Sequence, residues 1–315
     1  MTLHTPVLLE RCVELFAPSV EQSDAVYVDA TLGLGGHAEA MLTRFPDLQL
    51  IGIDRDTNAL ELAAERLAPF SDRIELVHAK HEDIGQVIDS QGAGKVDAIL
   101  FDLGVSSMQL DQRARGFSYN ADAPLDMRMN QEDELTAATV VNTYAPGDLV
   151  RILREYGEEK NAKRIVSELV RRRQIKPLTT TGELVEVIDV AIPAPARRKG
   201  GNPSKRTFQA LRIEVNQELV ELDNALQAGI DHLRIGGRMI VLSYHSLEDR
   251  IVKRRFAAGS TADVPHGLPV IPDDSRPYLR LLTRGSEVAS KEEIGGNRRA
   301  MSAKLRAVEV LREAA

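Results

Sequence analysis

The stretch AVYVDATLGLGGHA, residues 25–38, decides the fold, because a β-rich apolar run passes through a glycine-rich turn into a helical pattern. A helical pattern recurs at residues 56–67, where apolar side chains fall on one face. Apolar runs that alternate with helical patterns are typical of βαβ units and a parallel sheet. The sequence therefore predicts an α/β protein with four early strands, at residues 25–30, 48–53, 74–78 and 96–101.

A long interval separates the fourth predicted strand from the fifth, which we expect at residues 238–243 after the turn Gly236-Gly237. A parallel crossover needs only about a dozen residues. The interval therefore holds an inserted domain as well as a crossover helix, expected at residues 204–233. Helical periodicity predicts a helical insert, with Thr181 as a cap before Glu183. The predicted organisation is a discontinuous domain, residues 1–109 and 204–315, with an inserted helical domain at residues 110–203, which includes helical patterns at residues 149–156, 162–173 and 181–191.

Composition places the chain among ordinary globular proteins. It has 315 residues, of which 43% are hydrophobic and 28% charged, and this length suggests about two domains. The single cysteine, Cys12, cannot form an intramolecular disulfide, and a reducing compartment is the expectation. No apolar run is long enough to span a membrane, and the N-terminal residues lack a signal-peptide pattern. We therefore expect a cytoplasmic protein without a membrane partner.

The net charge of -7 hides a division along the chain. Residues 1–110 have a net charge of -11, whereas residues 111–315 have a net charge of +4. Local basic clusters can steer a polyanion even when the average charge is negative, so we predict RNA binding by the basic part. The clusters are Arg171, Arg172 and Arg173; Arg197, Arg198, Lys199, Lys205 and Arg206; Lys253, Arg254 and Arg255; and Arg298, Arg299, Lys304 and Arg306.

The glycine-rich turn fits the dinucleotide fingerprint as Gly33-x-Gly35-x-x-Ala38. Asp54 stands 19 residues after Gly35, at the end of the second predicted strand, where a carboxylate holds a ribose diol. Both a nicotinamide dinucleotide and S-adenosylmethionine have such a diol. A glycine-rich turn of this kind also occurs in α/β proteins that bind neither, and the motif by itself leaves all three interpretations open.

Electrostatics favours S-adenosylmethionine among these ligands. Asp29, Asp54 and Asp102 lie at the ends of predicted strands, and parallel strands bring their carboxyl ends to one edge of the sheet. No Lys or Arg lies between Asp29 and Gly36. Carboxylates at this edge would repel a pyrophosphate, whereas the sulfonium and ammonium groups of S-adenosylmethionine would be attracted.

Polar segments after the fourth and fifth predicted strands supply the candidate catalytic residues. Asp102 ends one strand, and Tyr244 and His245 follow the other on the same edge of the sheet. A helix start at Ser246 with Asp249 three residues later is the structural alternative for the second segment. The serine-hydrolase elbow is absent, and neither the cysteine nor the seven histidines have metal-ligand spacing, so no metal is expected.

Several motifs in a fixed order resemble the bacterial ribosomal RNA small subunit methyltransferase H family, and the resemblance extends over nearly the whole chain. The matching strings are HTPVLLE at residues 4–10, DATLG-x-GGH at 29–37, DLGVSS at 102–107, RGFS at 115–118, PLDMRM at 124–129, RTFQALRI at 206–213, SYHSLEDR at 243–250 and SAKLR at 302–306.

The resemblance implies a Rossmann-like S-adenosylmethionine-dependent methyltransferase sheet with an inserted helical domain that selects RNA. Two positions depart from the family pattern, His81, where an aromatic residue is usual, and Met301, where an Arg is common. The implied contacts to S-adenosylmethionine lie at Gly35, Gly36, His37, Asp54, His81, Asp102 and Gln109.

The family methylates the exocyclic N4 of a cytosine in the decoding region of 16S rRNA, which implies 16S rRNA in the small ribosomal subunit as the partner. Asp102, Tyr244 and His245 are then the candidates that orient the amine for in-line transfer from a flipped base. Three rival functions are a methyltransferase with another acceptor, an NAD-dependent oxidoreductase and a non-catalytic RNA-binding assembly factor. The residues predicted to bind RNA are Arg197, Arg198, Lys199, Lys205 and Arg206.

Overall fold

The computed structural model describes residues 6–104, 112–192, 202–262, 272 and 275–313. Backbone contacts divide the chain into two compact units, the first made of residues 1–104 and 219–315 and the second of residues 105–218. Four predicted site residues, Gln109, Arg197, Arg198 and Lys199, lie outside the described residues.

The first unit is built on a seven-stranded sheet with the order β3-β2-β1-β4-β5-β7-β6. Strands β1 to β5 are parallel, and β7 runs antiparallel to both β5 and β6. The predicted α/β class is confirmed. The strands are β1 Val26–Asp29, β2 Gln49–Asp54, β3 Ile74–His78, β4 Val96–Asp102, β5 Leu233–Ser243, β6 Leu279–Leu281 and β7 Lys304–Val310.

Strand β5 differs from the prediction at its start. It begins at Leu233, which pairs with Val96, and regular pairing resumes at Arg238, so that Gly236 and Gly237 lie within an irregular part of the strand. The chain does turn at the two predicted glycines, because Gly236 has φ 85° and a β-carbon at Gly237 would lie 2.8 Å from Arg234 O, but the strand already begins before this turn. The antiparallel strands β6 and β7 had no counterpart in the prediction.

Helices cover both faces of this sheet. Because successive residues of a strand point to opposite faces, Leu50 and Leu100 belong to one buried apolar cluster, whereas Ile51 and Phe101 belong to the other. The helices of the first unit are α1 Leu9–Val20, α2 Gly36–Arg44, α3 Thr57–Leu67, α4 Ile84–Ser90, α10 Glu218–His232 (whose first residue belongs to the second unit), α11 Ser246–Ser260 and α12 Lys291–Gly296. Among the described residues, no helix combines the length and apolarity that a membrane span requires.

The second unit is helical and has its own apolar core, in which Phe208 and Leu211 are buried. Both residues lie on helix α9, Ser204–Asn216. This helix belongs to the second unit, whereas the sequence predicted that the first unit includes the chain from residue 204 onward. The helices are α5 Ala137–Thr143, α6 Pro146–Glu155, α7 Ala162–Arg173, α8 Thr181–Ala191 and α9 Ser204–Asn216.

The single helix predicted at residues 204–233 is two helices, because Gln217 adopts a left-handed backbone with φ 50° between α9 and α10. Next to this break, the side chain of Asn216 accepts from Met129 N at 2.7 Å and donates to Met127 O at 2.8 Å. These bonds tie the end of α9 to a neighbouring loop. Residue Thr180 caps α8 in a capping box with Glu183, one residue before the predicted cap.

Candidate active site

The glycine-rich turn between β1 and α2 is held by its neighbours in the sheet. Gly33 donates its N–H to Asp54 Oδ2 at 2.8 Å. Gly35 begins α2 with φ 72°, a conformation that favours glycine. A β-carbon at Gly36 would lie 2.6 Å from Pro6 Cγ, so this position requires glycine for packing as well. The first-turn N–H groups of α2 have no partners within the helix, as at any helix start.

Asp54 ends β2 with both carboxylate oxygens engaged. While Oδ2 accepts from Gly33, Oδ1 accepts from Asp56 N at 2.9 Å. Each oxygen keeps a second lone pair, so the carboxylate can still accept hydrogen bonds from a diol. Burial raises the pKa of Asp54 above its ordinary value.

Two more carboxylates end the adjacent strands. Asp29 ends β1 and Asp102 ends β4, and both strands pair with each other in parallel. Burial raises the pKa of Asp29 to about 7, and the nearby negative charges of Asp102 and Asp54 contribute. Burial also raises the pKa of Asp102. Carboxyl groups are therefore concentrated at this edge of the sheet. Their ionised form is unfavourable there unless a bound cation compensates the negative charge.

Asp102 is held between an aromatic hydroxyl and an imidazole. Tyr244, which follows β5, donates from its hydroxyl to Asp102 Oδ1 at 2.7 Å. His37 Nδ1 lies 3.7 Å from Asp102 Oδ2. The other ring nitrogen of His37, Nε2, is 3.1 Å from Val7 O, so the buried ring is held from both sides. The hydrogen bond from Tyr244 therefore orients the Asp102 carboxylate, and the His37 ring lies beside its other oxygen, beyond hydrogen-bond distance.

His81 follows β3 and its ring lies edge-to-face on Phe101, at 6.2 Å between centroids. Burial, with the positive charges of Arg55 and Lys80, lowers the pKa of His81 to about 3. The ring is therefore uncharged at neutral pH. Its Nε2 is buried and has no hydrogen-bond partner in the described structure. A neutral aromatic ring can stack on a purine through its face, or its in-plane nitrogen can hydrogen-bond to the purine edge, and the two contacts require different ring orientations.

Tyr244 and His245, which were predicted to act together, make different contacts in the structure. Whereas Tyr244 contacts Asp102, His245 caps α11 in a capping box with Glu248. Glu248 Oε2 accepts from Tyr244 N at 2.8 Å and from His245 N at 3.1 Å. The alternative interpretation as a helix start is confirmed, since α11 begins at Ser246, but the capping pair is His245 with Glu248, one residue before the predicted Ser246 and Asp249.

The predicted RNA-binding residues divide into described and undescribed ones. Lys205 and Arg206 lie in the first turn of α9 and are exposed, and Arg197, Arg198 and Lys199 are outside the described residues. Several other basic residues named from the sequence have internal partners. Arg171 and Arg172 pair with Glu168, Arg173 donates to Val141 O and Tyr144 O, Arg255 pairs with Asp223, and Lys304 and Arg306 pair with Asp249.

Two contributions were missed from the sequence. Thr31 Oγ1 accepts from Asp102 N at 2.6 Å and so ties the glycine-rich turn to the end of β4. The buried carboxylate of Glu221, on α10, pairs with Arg55 and with Lys80, the latter at 3.0 Å. Arg55 follows Asp54 and Lys80 precedes His81 in the chain, and no sequence signal links either of them to Glu221.

Known proteins resemble this chain over nearly its full length. Residues 1–311 match the MraW methylase family. The ribosomal RNA small subunit methyltransferase H of Streptomyces avermitilis is 56% identical over 98% of this chain and 98% of its own. The protein of the same name from Nocardioides sp. is 58% identical over 97% of this chain and 96% of its own. The resemblance seen in the sequence is therefore confirmed, and the chain belongs to the MraW methylase family.

Proposed function

We propose that this protein is an S-adenosylmethionine-dependent methyltransferase that modifies the N4 amine of a cytosine in the decoding region of 16S rRNA. The observation that carries the proposal is a set of three carboxyl groups at the ends of three parallel strands, the buried Asp29 and the half-buried Asp54 and Asp102. A sulfonium and an ammonium group would relieve their mutual repulsion, whereas a pyrophosphate would add to it.

The residues at this edge fit S-adenosylmethionine, which when bound supplies an electrophilic methyl group on its sulfonium. Asp54 would accept from the ribose diol with its remaining lone pairs. The uncharged ring of His81 would contact the adenine, where its buried Nε2 finds the partner that it lacks. The N–H groups of Gly36 and His37, in the first turn of α2, suit the donor's carboxylate because the positive end of a helix dipole attracts anions.

Asp102 is the residue that we assign to the acceptor amine. The lone pair of a cytosine N4 amine is delocalised into the ring, so the amine needs a fixed acceptor for one N–H to direct that lone pair toward the methyl group. Tyr244 holds one oxygen of the carboxylate by a hydrogen bond, and the His37 ring lies beside the other. The raised pKa of Asp102 favours taking up a proton as the amine loses one. His245 acts here through the helix cap that positions Tyr244, and not on the amine.

The names of the curated relatives support ribosomal RNA of the small subunit as the substrate, and the cytosine N4 is what the sequence resemblance implies. The exposed cations Lys205 and Arg206 in the second unit support a polyanionic partner. Together with the undescribed basic residues Arg197, Arg198 and Lys199, they form the RNA-binding set that we propose.

Methyl transfer to small ribosomal subunits tests the proposal directly. Subunits from cells that lack the modification are incubated with purified protein and radiolabelled S-adenosylmethionine, and the labelled nucleotide is mapped. We expect label on N4 of a decoding-region cytosine, and loss of at least a hundredfold in rate with Asp102→Ala at unchanged subunit affinity. Label on another base or on protein would refute the acceptor, and donor-independent RNA binding without label would indicate an assembly factor.

A further inference from the structure

Five exposed cations of the second unit lie on two segments of the chain that contact each other. None of them forms an ion pair within the described parts of the chain. By contrast, the exposed Arg171 pairs with Glu168 at 2.6 Å, and the exposed Lys176 pairs with Glu183 at 2.8 Å. The five are Lys160, Lys163, Arg164, Lys205 and Arg206, and we call them the α7–α9 basic surface.

The backbone brings the two segments of this surface together. A β-carbon at Gly157 would lie 2.6 Å from Arg206 O, so the turn before α7 lies directly against the first turn of α9. Gln209 also donates to Tyr156 O at 3.0 Å across the same contact. Lys160 follows Gly157 by three residues and hence lies within about 11 Å of it along the chain. Of the two acids in this segment, Glu159 is buried and accepts from Asn161 N at 2.7 Å, whereas Glu158 is exposed.

Four of these cations lie in the first turns of helices, where acidic side chains would stabilise the helix better. The positive end of the helix dipole lies at the N-terminus, and six other helices carry Glu or Asp in their first turns. The first turns of α7 and α9 have no acid and carry Lys163, Arg164, Lys205 and Arg206 instead. Basic residues at two helix starts are unfavourable for the protein by itself and become favourable when an anion binds.

We propose that the α7–α9 basic surface docks the sugar-phosphate backbone of the RNA substrate. This inference rests on the proposed function and adds to it the place where the second unit holds the RNA. Unpaired cations recognise phosphates without reading bases, so this surface supplies affinity while the sheet edge selects the target atom. It places Lys160, Lys163 and Arg164 in RNA binding, which no sequence motif suggested, and it leaves out the paired Arg171, Arg172 and Arg173.

The test replaces four of these cations at once, Lys163→Gln, Arg164→Gln, Lys205→Gln and Arg206→Gln. Removing cations from helix N-termini does not weaken the helices, so the variant is expected to fold. The matched control is Arg171→Gln with Lys176→Gln, which removes exposed cations of the same unit that already have acidic partners. Binding to small ribosomal subunits is measured from 50 to 300 mM salt, together with kcat, KM and the Kd for S-adenosylmethionine.

We expect the four-residue variant to bind subunits at least tenfold more weakly, with the slope of log K against log salt reduced by about 3. KM for subunits should rise in parallel, whereas kcat and the donor Kd stay within twofold of the wild type. The control should match the wild type in slope and KM.

An unchanged slope and KM in the four-residue variant would overturn the inference while the proposed function stands, provided that the wild type methylates the subunits. An equal loss of subunit affinity in the control variant would also overturn the inference, because cations that have acidic partners would then contribute as much as the unpaired ones. If the four-residue variant lost binding to phosphatidylserine vesicles while its RNA binding was unchanged, the surface would be assigned to a membrane instead. A wild type that neither binds nor methylates RNA would refute both the inference and the proposed function.

Discussion

Tyr244 donates a hydrogen bond of 2.7 Å from its hydroxyl to Asp102 Oδ1, across the adjacent parallel strands β4 and β5. Burial and the charge of Asp102 raise the pKa of Tyr244 well above its ordinary value, so the phenol stays protonated and remains a donor. His37 lies 3.7 Å from the other oxygen, beyond hydrogen-bond distance, so the hydrogen bond from Tyr244 sets the orientation of the carboxylate. The pair therefore acts as one positioned acceptor.

We predict that Tyr244→Phe lowers kcat about tenfold, since one hydrogen bond to a carboxylate contributes on the order of 1.5 kcal/mol. The Kd for S-adenosylmethionine should change less than threefold, because Asp102 keeps its charge and its contact with His37. Single-turnover methyl transfer and calorimetric donor titration measure the two quantities separately.

Tyr27→Phe is the matched control for this phenol. Tyr27 is also buried and donates to a carboxylate, Asp29 Oδ2, at 3.3 Å. Its loss should leave kcat within twofold, because Asp29 is not the residue assigned to the amine. An equal fall in kcat for both variants would show that the effect comes from packing at the sheet edge and not from the orientation of Asp102.

His81 is predicted to serve as a neutral aromatic ring. With a pKa of about 3 it carries no charge above pH 5, so the donor Kd should show no inflection near pH 6.5 due to this residue. His81→Phe should keep donor affinity within about threefold, whereas His81→Ala should weaken it about tenfold or more by removing a stacking surface. Calorimetric titrations at pH 5.5 and 8 check this, and equal losses in the two variants would argue against stacking.

Glu248 should matter for both stability and the active site, because its carboxylate holds the backbone N–H groups of Tyr244 and His245. We expect Glu248→Ala to lower the free energy of unfolding by about 2 kcal/mol or more and to reduce kcat by displacing Tyr244. Thr180→Ala removes the cap of α8 in the second unit and should cost about 1 kcal/mol. If Thr180→Ala reduced kcat as much as Glu248→Ala, general destabilisation would explain both.

The sheet edge was predictable because its strands are continuous apolar runs that end in carboxylates, as at Asp29, Asp54 and Asp102. The sequence placed Tyr244 on the same edge as Asp102, but a hydrogen bond between residues 142 positions apart depends on strand order and register, which no local pattern encodes. The pairing of Glu221 with Arg55 is hidden for the same reason.

The break between α9 and α10 escaped prediction because the apolar periodicity continues through it. Gln217 is an ordinary helix residue in sequence, and its left-handed backbone follows from tertiary contacts such as those of Asn216 with Met127 and Met129. The cap of α8 was misplaced by one residue because Thr180 and Thr181 have equal capping chemistry, and Thr181 instead donates to Ala121 O at 2.9 Å.

Asp29 should make the stability of the sheet unit depend on pH. Its pKa is about 7 in the folded protein against an ordinary value of 3.8, so between these values the folded state holds a proton that the unfolded state has lost. The stabilisation is complete below about pH 4 and is lost as pH rises through 7, by up to roughly 4 kcal/mol. Asp29→Asn cannot ionise, and its free energy of unfolding relative to wild type should therefore rise from pH 4.5 to 7.5 and level off above pH 8.

Urea unfolding at intervals of half a pH unit measures this difference, and Glu183→Gln provides the control. Hydrogen bonds, first that of Lys176, lower the pKa of Glu183 to about 2, so its contribution is present above pH 4.5 and is lost only as pH falls toward 2. The difference between Glu183→Gln and wild type should accordingly stay constant from pH 5.5 to 8. A constant difference for Asp29→Asn over the same range would mean that Asp29 is ionised in the folded protein, and the edge would then hold its negative charge without a cation.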